Sequence, residues 1–220
     1  MRAGRESGPG KNTPAKKTRI GLATTCAAGT AAVPATLPAD GGPSALDQAI
    51  ADPIHQALDT HPGVYQALVV PSNGYVLLPL LLLACAWFMY RGARRYAVTM
   101  LLVPELAVAG NTWLLKPLWG RQLHDYLAYP SGHTVHLVAI AATFMLLVDS
   151  VRARLAAGAV ACVSMLAAAV GMIGLDYHHP TDILGGVTAA ITLAILLCWA
   201  AEVLIERGAA RIRAFHTRAP

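Results

Sequence analysis

The chain predicts an all-α fold, a polytopic membrane bundle of six spanning helices, or five if the first is a cleaved signal. Of its 220 residues 55% are hydrophobic and 13% charged. The charges gather between apolar runs of about 17 to 21 residues, the length a helix needs to cross a hydrocarbon core about 30 Å thick. Lys and Arg also alternate from one connection to the next, as they do when they set topology.

Residues 1–19, rich in Gly, Pro, Lys and Arg, predict a disordered basic cytoplasmic tail. The weakly apolar stretch 20–39 reads either as a first span or as a signal peptide, with Lys16, Lys17 and Arg19 as its positive region. Residues 40–73 carry Asp40, Asp47, Asp52 and Asp59 but no Lys or Arg. They predict an extracytoplasmic segment, in which Ser44 to Leu58 suits a short amphipathic helix on the outer surface. A membrane bundle over 74–205 follows, with spans at Gly74–Tyr90, Ala97–Leu115, Thr134–Ser150, Leu155–Leu175 and Ile183–Val203. Pro79 and Pro104 fall inside two of them, as membrane helices tolerate. Residues 206–220 form a second basic cytoplasmic tail, helical at first.

With the N-terminus inside, the inner connections hold Arg91, Arg94 and Arg95, then Arg152 and Arg154, then Arg207, Arg211, Arg213 and Arg218; the outer ones hold only Lys116 and Arg121. The net charge of +5 forms no aromatic-interleaved basic patch, which argues against nucleic acid as a partner. Cys26, Cys85, Cys162 and Cys198 lie singly in apolar runs, so neither a disulfide framework nor a metal site is expected. The Ala- and Arg-rich composition suits a bacterial, GC-rich genome. The expected location is the cytoplasmic membrane.

Two outer-edge clusters carry chemistry. Pro130-Ser131-Gly132-His133 opens a span. Ser131 suits an N-cap, Gly132 lets an anion approach the backbone, and the helix start offers free N–H groups and a positive dipole end. The plainer reading is a capped membrane helix with an interfacial histidine at its start. In His178-His179-Pro180-Thr181-Asp182, spacing of four brings His178 and Asp182 onto one face. There a carboxylate can fix the imidazole tautomer and leave the other nitrogen as nucleophile or base. A structural His–Asp anchor is the plainer reading. Lys116 and Arg121 suit phosphate oxygens, or else snorkel to headgroups.

With these three clusters in order, the chain resembles the type 2 phosphatidic acid phosphatase superfamily, integral membrane lipid phosphatases related in site design to vanadium-dependent haloperoxidases. The family's motifs are Lys, six residues, Arg-Pro; Pro-Ser-Gly-His; and Ser-Arg, five residues, His, three residues, Asp. The second is met in full, as is the His–Asp half of the third. The resemblance implies a nucleophilic His178, an orienting Asp182 and an acid–base His133. It also implies phosphate binding by Lys116, Ser131 and Gly132, with no metal or cofactor. The first motif's Arg-Pro falls on Leu123 and His124, with Arg121 two residues early; the third motif's Ser-Arg falls on Gly171 and Met172. Arg121 is expected to replace one missing arginine, and His124 or His179 to add a donor. His136, one turn from His133, is expected to support the site. Glu105 and Asn111 are expected to hydrogen-bond within the bundle.

The expected function is hydrolysis of a lipid phosphate or diphosphate, of polyprenyl diphosphate or phosphatidate type, at the outer face through a phosphohistidine. The alternatives are a lipid phosphotransferase of the same family and a degenerate, non-catalytic lipid-binding membrane protein. Headgroup, tail and oligomeric state are not legible.

Overall fold

The computed structural model describes residues 13–38 and 40–216. Residues 1–12 of the expected N-terminal tail and 217–220 of the C-terminal one lie outside that range. In chain order the helices are α1 (Thr13–Ala32), α2 (Ala45–Leu58), α3 (Pro62–Val69), α4 (Gly74–Tyr90), α5 (Arg94–Gly110), α6 (Lys116–Trp119), α7 (Gly132–Leu147), α8 (Val151–Gly174) and α9 (Pro180–His216). A π-helical turn, Asn111–Leu115, joins α5 to α6.

Four helical stretches are long and apolar enough to cross a membrane: Pro62–Tyr90, Arg94–Trp119, Val151–Gly174 and Pro180–Gly208. The six predicted spans are therefore not all met among the described residues. The first helix starts at Thr13, inside the expected tail, and it carries Lys16, Lys17 and Arg19 in its opening turns. It does not reach that apolarity. It lies antiparallel along α9, and polar groups meet between the two helices. The Thr30 and Thr188 hydroxyls are 2.8 Å apart, and Thr192 Oγ1 donates to the Ala23 carbonyl at 3.4 Å. The fifth apolar helix, α7, is only 16 residues long. It sits in the middle of the bundle and buries Val135, Ala139 and Ile140 against α4, α5, α8 and α9.

Close helix contact brings the site's parts together. A Cβ at Gly186 would fall 2.7 Å from Thr134 Cβ and 2.9 Å from the Ser131 carbonyl oxygen, so only glycine lets α9 meet the start of α7. Both helices begin at the same end of the bundle, where α5 and α8 finish and α4 starts.

Two features of this end depart from the sequence reading. The all-α expectation misses a two-stranded antiparallel hairpin, β1 (Gln122–Leu123) and β2 (Tyr126–Leu127). The helix expected at Ser44 to Leu58 is present, but it does not merely lie on the surface. Ser44 and Asp47 close a reciprocal capping box, and the Asp47 side chain is fully buried against the ends of the spanning helices.

Candidate active site

The motif histidines come from separate segments and meet. The His133 and His178 rings lie 6.0 Å apart between centroids, crossing at 72°. They border a cavity of about 470 Å³ whose lining includes Lys116, Tyr126, Gly132, His136 and Tyr177.

Ser131 caps α7, accepting from the Thr134 N–H at 3.4 Å. Its own N–H donates to the Asp182 carbonyl at 3.0 Å, tying the start of α7 to the first turn of α9. The Ser131 hydroxyl is buried, donates to the Met172 sulfur at 3.8 Å and does not border the cavity. Its hydroxyl is therefore turned away from the phosphate it was expected to hold, whereas Gly132 lies on the cavity wall.

His178 sits in the short loop between α8 and α9. Its Nδ1 is 3.9 Å from Asp182 Oδ2, too far for a hydrogen bond, and is buried without another partner. A shift of about 1 Å would close that bond. Burial first, then the charges of Lys116 and His133, push the His178 imidazole down to about 3. It is therefore uncharged at neutral pH, as a nucleophile must be.

Asp182 is held from two sides. Oδ1 accepts from Arg121 Nη1 at 2.8 Å, and Oδ2 accepts from the His179 backbone N–H at 2.9 Å. Arg121 is thereby corrected from a phosphate ligand to a buried organiser. Its guanidinium is almost fully buried, and every donor has a partner within the protein: Asp182, Thr181, Asp47 and the carbonyls of Gly41 and Gly42. None is free for a ligand, and Arg121 does not border the cavity.

Asp47 is the site residue that sequence reasoning missed. Its carboxylate accepts from the Thr181 N–H at 2.8 Å, the Thr181 hydroxyl at 3.0 Å and the Ser44 N–H at 2.9 Å, and lies 3.4 Å from Arg121 Nη2. Burial acts to raise its pKa, but the hydrogen bonds from Ser44 and Thr181 outweigh that and hold it below the usual carboxylate value. The only sequence signal was a Ser-x-x-Asp capping pattern, which places the residue at a helix start and says nothing of its distant partner.

The remaining candidates divide. Lys116 borders the cavity, donates to the Leu127 carbonyl and stands 6.0 Å from the Tyr126 ring centroid. Among the described residues it is the one Lys or Arg on the cavity wall. His136 also borders the cavity, with Nε2 3.1 Å from Glu105 Oε1. His124 does not reach it: the residue turns the hairpin at φ 55° and its exposed ring stacks on Tyr126. His179 contributes its backbone N–H rather than its ring. Asn111 is buried, and its amide donates to the Pro130 carbonyl at 3.2 Å, bracing the Pro-Ser-Gly-His turn.

The structure also explains the departures from the third motif. A Cβ at Gly171 would fall 2.5 Å from the Val69 backbone nitrogen and 2.8 Å from the Tyr65 carbonyl, where α3 crosses α8. A serine cannot stand there. Met172, fully buried, packs its sulfur beneath Ser131 where the family carries arginine.

The family model described as "PAP2 superfamily" matches residues 104–205. The fold is similar to that of the first transmembrane PAP2 type phosphatidylglycerolphosphate phosphatase from Bacillus subtilis. The TM-score is 0.60 at 20% identity, covering 84% of this chain and 96% of that one. No curated protein matches the chain. The stretch that carries Lys116, His133, His178 and Asp182 is the one that matches the PAP2 superfamily, and Asp47 reaches it from outside the matched residues.

Proposed function

We propose that the chain is a membrane phosphohydrolase that cleaves a lipid phosphate or diphosphate at headgroup level, through a covalent phosphohistidine. The observation that carries this is the 6.0 Å approach of the His133 and His178 rings across a cavity that also holds Lys116. Neutral His178 attacks phosphorus through its Nε2 as the bond to the leaving oxygen breaks, and His133 gives that oxygen its proton. His133 then takes a proton from water, whose oxygen displaces His178 and releases phosphate. Asp182, locked by Arg121, faces the other nitrogen of His178 and stabilises the positive charge formed there. Lys116 and the first N–H groups of α7 receive the phosphoryl oxygens. The Lys and Arg distribution supports an extracytoplasmic site. The residues assigned to each step supply acid, base and nucleophile, so no metal is needed.

The test is phosphate release by the detergent-purified protein from a panel of lipid mono- and diphosphates, with a chelator present, beside His178→Ala. Release by wild type and none by the variant is expected. Retained turnover in His178→Ala overturns the assignment. A new phosphorylated lipid with little free phosphate identifies transfer to an acceptor lipid in place of hydrolysis. Two observations favour a second reading, a lipid-phosphate binder without turnover: Arg121 is fully engaged and Met172 occupies an arginine position. Tight binding with no release from any substrate would select it.

A further inference from the structure

A second cavity, of about 520 Å³, lies toward the opposite end of the bundle from His133 and His178. It is a side groove between α7, α8 and α9, bordered by Arg19 and Leu22 of α1. On α8 it is lined by Arg154, Gly158, Ala161, Cys162, Met165 and Leu166, a single helical face. From Arg154 to Leu166 that face rises about 18 Å. Half of a bilayer's hydrocarbon core is about 15 Å. The groove thus runs from near mid-membrane to one surface, and its walls are almost wholly apolar.

Its surface end is cationic. Arg154 donates from Nη2 to the Val148 carbonyl at 2.7 Å, while its Nε is buried with no partner. Arg19 is 3.6 Å from Glu202, both side chains partly exposed, an arrangement that binds weakly and is open to exchange. The groove mouth therefore carries two guanidinium groups, with the Glu202 carboxylate beside Arg19. A guanidinium fork suits phosphate oxygens. A spanning helix from a second copy is a poor occupant: 18 Å of helix about 10 Å across fills roughly 1,400 Å³. An acyl chain is slim enough.

We propose that this groove is a binding site for one anionic phospholipid of the leaflet opposite the histidine site. One acyl chain lies along Gly158, Ala161 and Met165, and the phosphate sits at Arg154 and Arg19. The assignment does not rest on the reaction proposed above.

Native mass spectrometry of the full chain, released from micelles doped with phosphatidylglycerol or with phosphatidylcholine of the same chains, tests it. Wild type should retain one phosphatidylglycerol in preference to phosphatidylcholine. Arg154→Gln should cut that preference about fivefold, the effect of one basic residue at a membrane surface. Arg154→Lys should keep most of it. Gly158→Phe should reduce retention of both lipids by filling the groove; if that variant does not fold, Arg19→Gln serves beside Arg154→Gln. His178→Ala should bind as wild type does, which separates this site from the catalytic reading. Equal retention of the two lipids, an unchanged preference in Arg154→Gln, or a dimer that excludes lipid from the groove would overturn the proposal.

Discussion

Replacing Asp47 with alanine tests whether the segment before the matched region is part of the site. The substitution leaves the buried Ser44 and Thr181 N–H donors without their acceptor and removes one of the two carboxylates that face Arg121. Each orphaned buried donor costs about 1–3 kcal/mol, the lost capping box about 1 kcal/mol, and breaking one partner from a buried ion pair about 3–5 kcal/mol. These losses overlap, because Arg121 keeps Asp182, so the expected destabilisation is about 3–5 kcal/mol. Asp47→Asn keeps an oxygen acceptor but loses the charge, and should cost about 1–2 kcal/mol. The measurement is denaturant unfolding in detergent, with Asp52→Ala, an exposed position on the same helix, as the reference. The sign of the pH dependence is fixed as well. The folded Asp47 carboxyl lies below its unfolded value, so its stabilisation is complete above the unfolded value near 3.9 and disappears as pH falls through the folded one. The gap between wild type and Asp47→Asn should therefore stay constant at neutral pH and shrink only in strong acid. An Asp47→Ala protein within about 0.5 kcal/mol of Asp52→Ala would show that Asp47 does not anchor this end of the bundle.

Three further outcomes follow from the same geometry. His178→Gln should make the fold less sensitive to acid: the folded imidazole titrates at about 3 and the unfolded one near 6.5, so wild type loses about 2 kcal/mol between pH 7 and pH 5 that the variant does not. Matching pH–stability curves for the two proteins would contradict that. Gly171→Ser, which restores a family residue, should destabilise by about 3 kcal/mol by driving α3 off α8, seen as a lower unfolding midpoint; a neutral result would mean the crossing is looser than the 2.5 Å approach implies. Lys116→Ala should lower phosphate release roughly 10²–10³-fold while leaving the unfolding midpoint nearly unchanged, because it removes the cation on the cavity wall; a loss confined to KM would show that Lys116 only binds substrate.

The parts of the molecule visible in the sequence are those set by local pattern. Apolar run length gave four of the spanning helices to within a few residues at most ends, and the Ser131 cap was readable from residue type alone. The meeting of His133 and His178 needed only that both clusters begin spans at one membrane surface. What stayed hidden depends on distant pairing. Asp47 lies 134 positions before Thr181, and nothing local marks it as more than an acidic helix start. Arg121 was misread because a lone arginine near a phosphate motif looks available, and only the folded structure shows all its donors taken. The hairpin at 122–127 is too short to show a strand periodicity, and Gly171 looks like any membrane glycine until Val69 is seen against it. The first helix begins at Thr13, before the weakly apolar run that predicted it, and its threonine contacts to α9 are ones hydropathy does not register.

In the proposed reaction His178 carries the phosphoryl group and His133 activates the water that removes it. The most direct test is rapid quench of the protein with a lipid phosphate, followed by peptide mass spectrometry under alkaline conditions that preserve phosphohistidine. An adduct on His178 that accumulates in His133→Ala and is absent from His178→Ala is expected. Wild-type rates of phosphate release by His178→Ala, or an adduct on another residue, would contradict it.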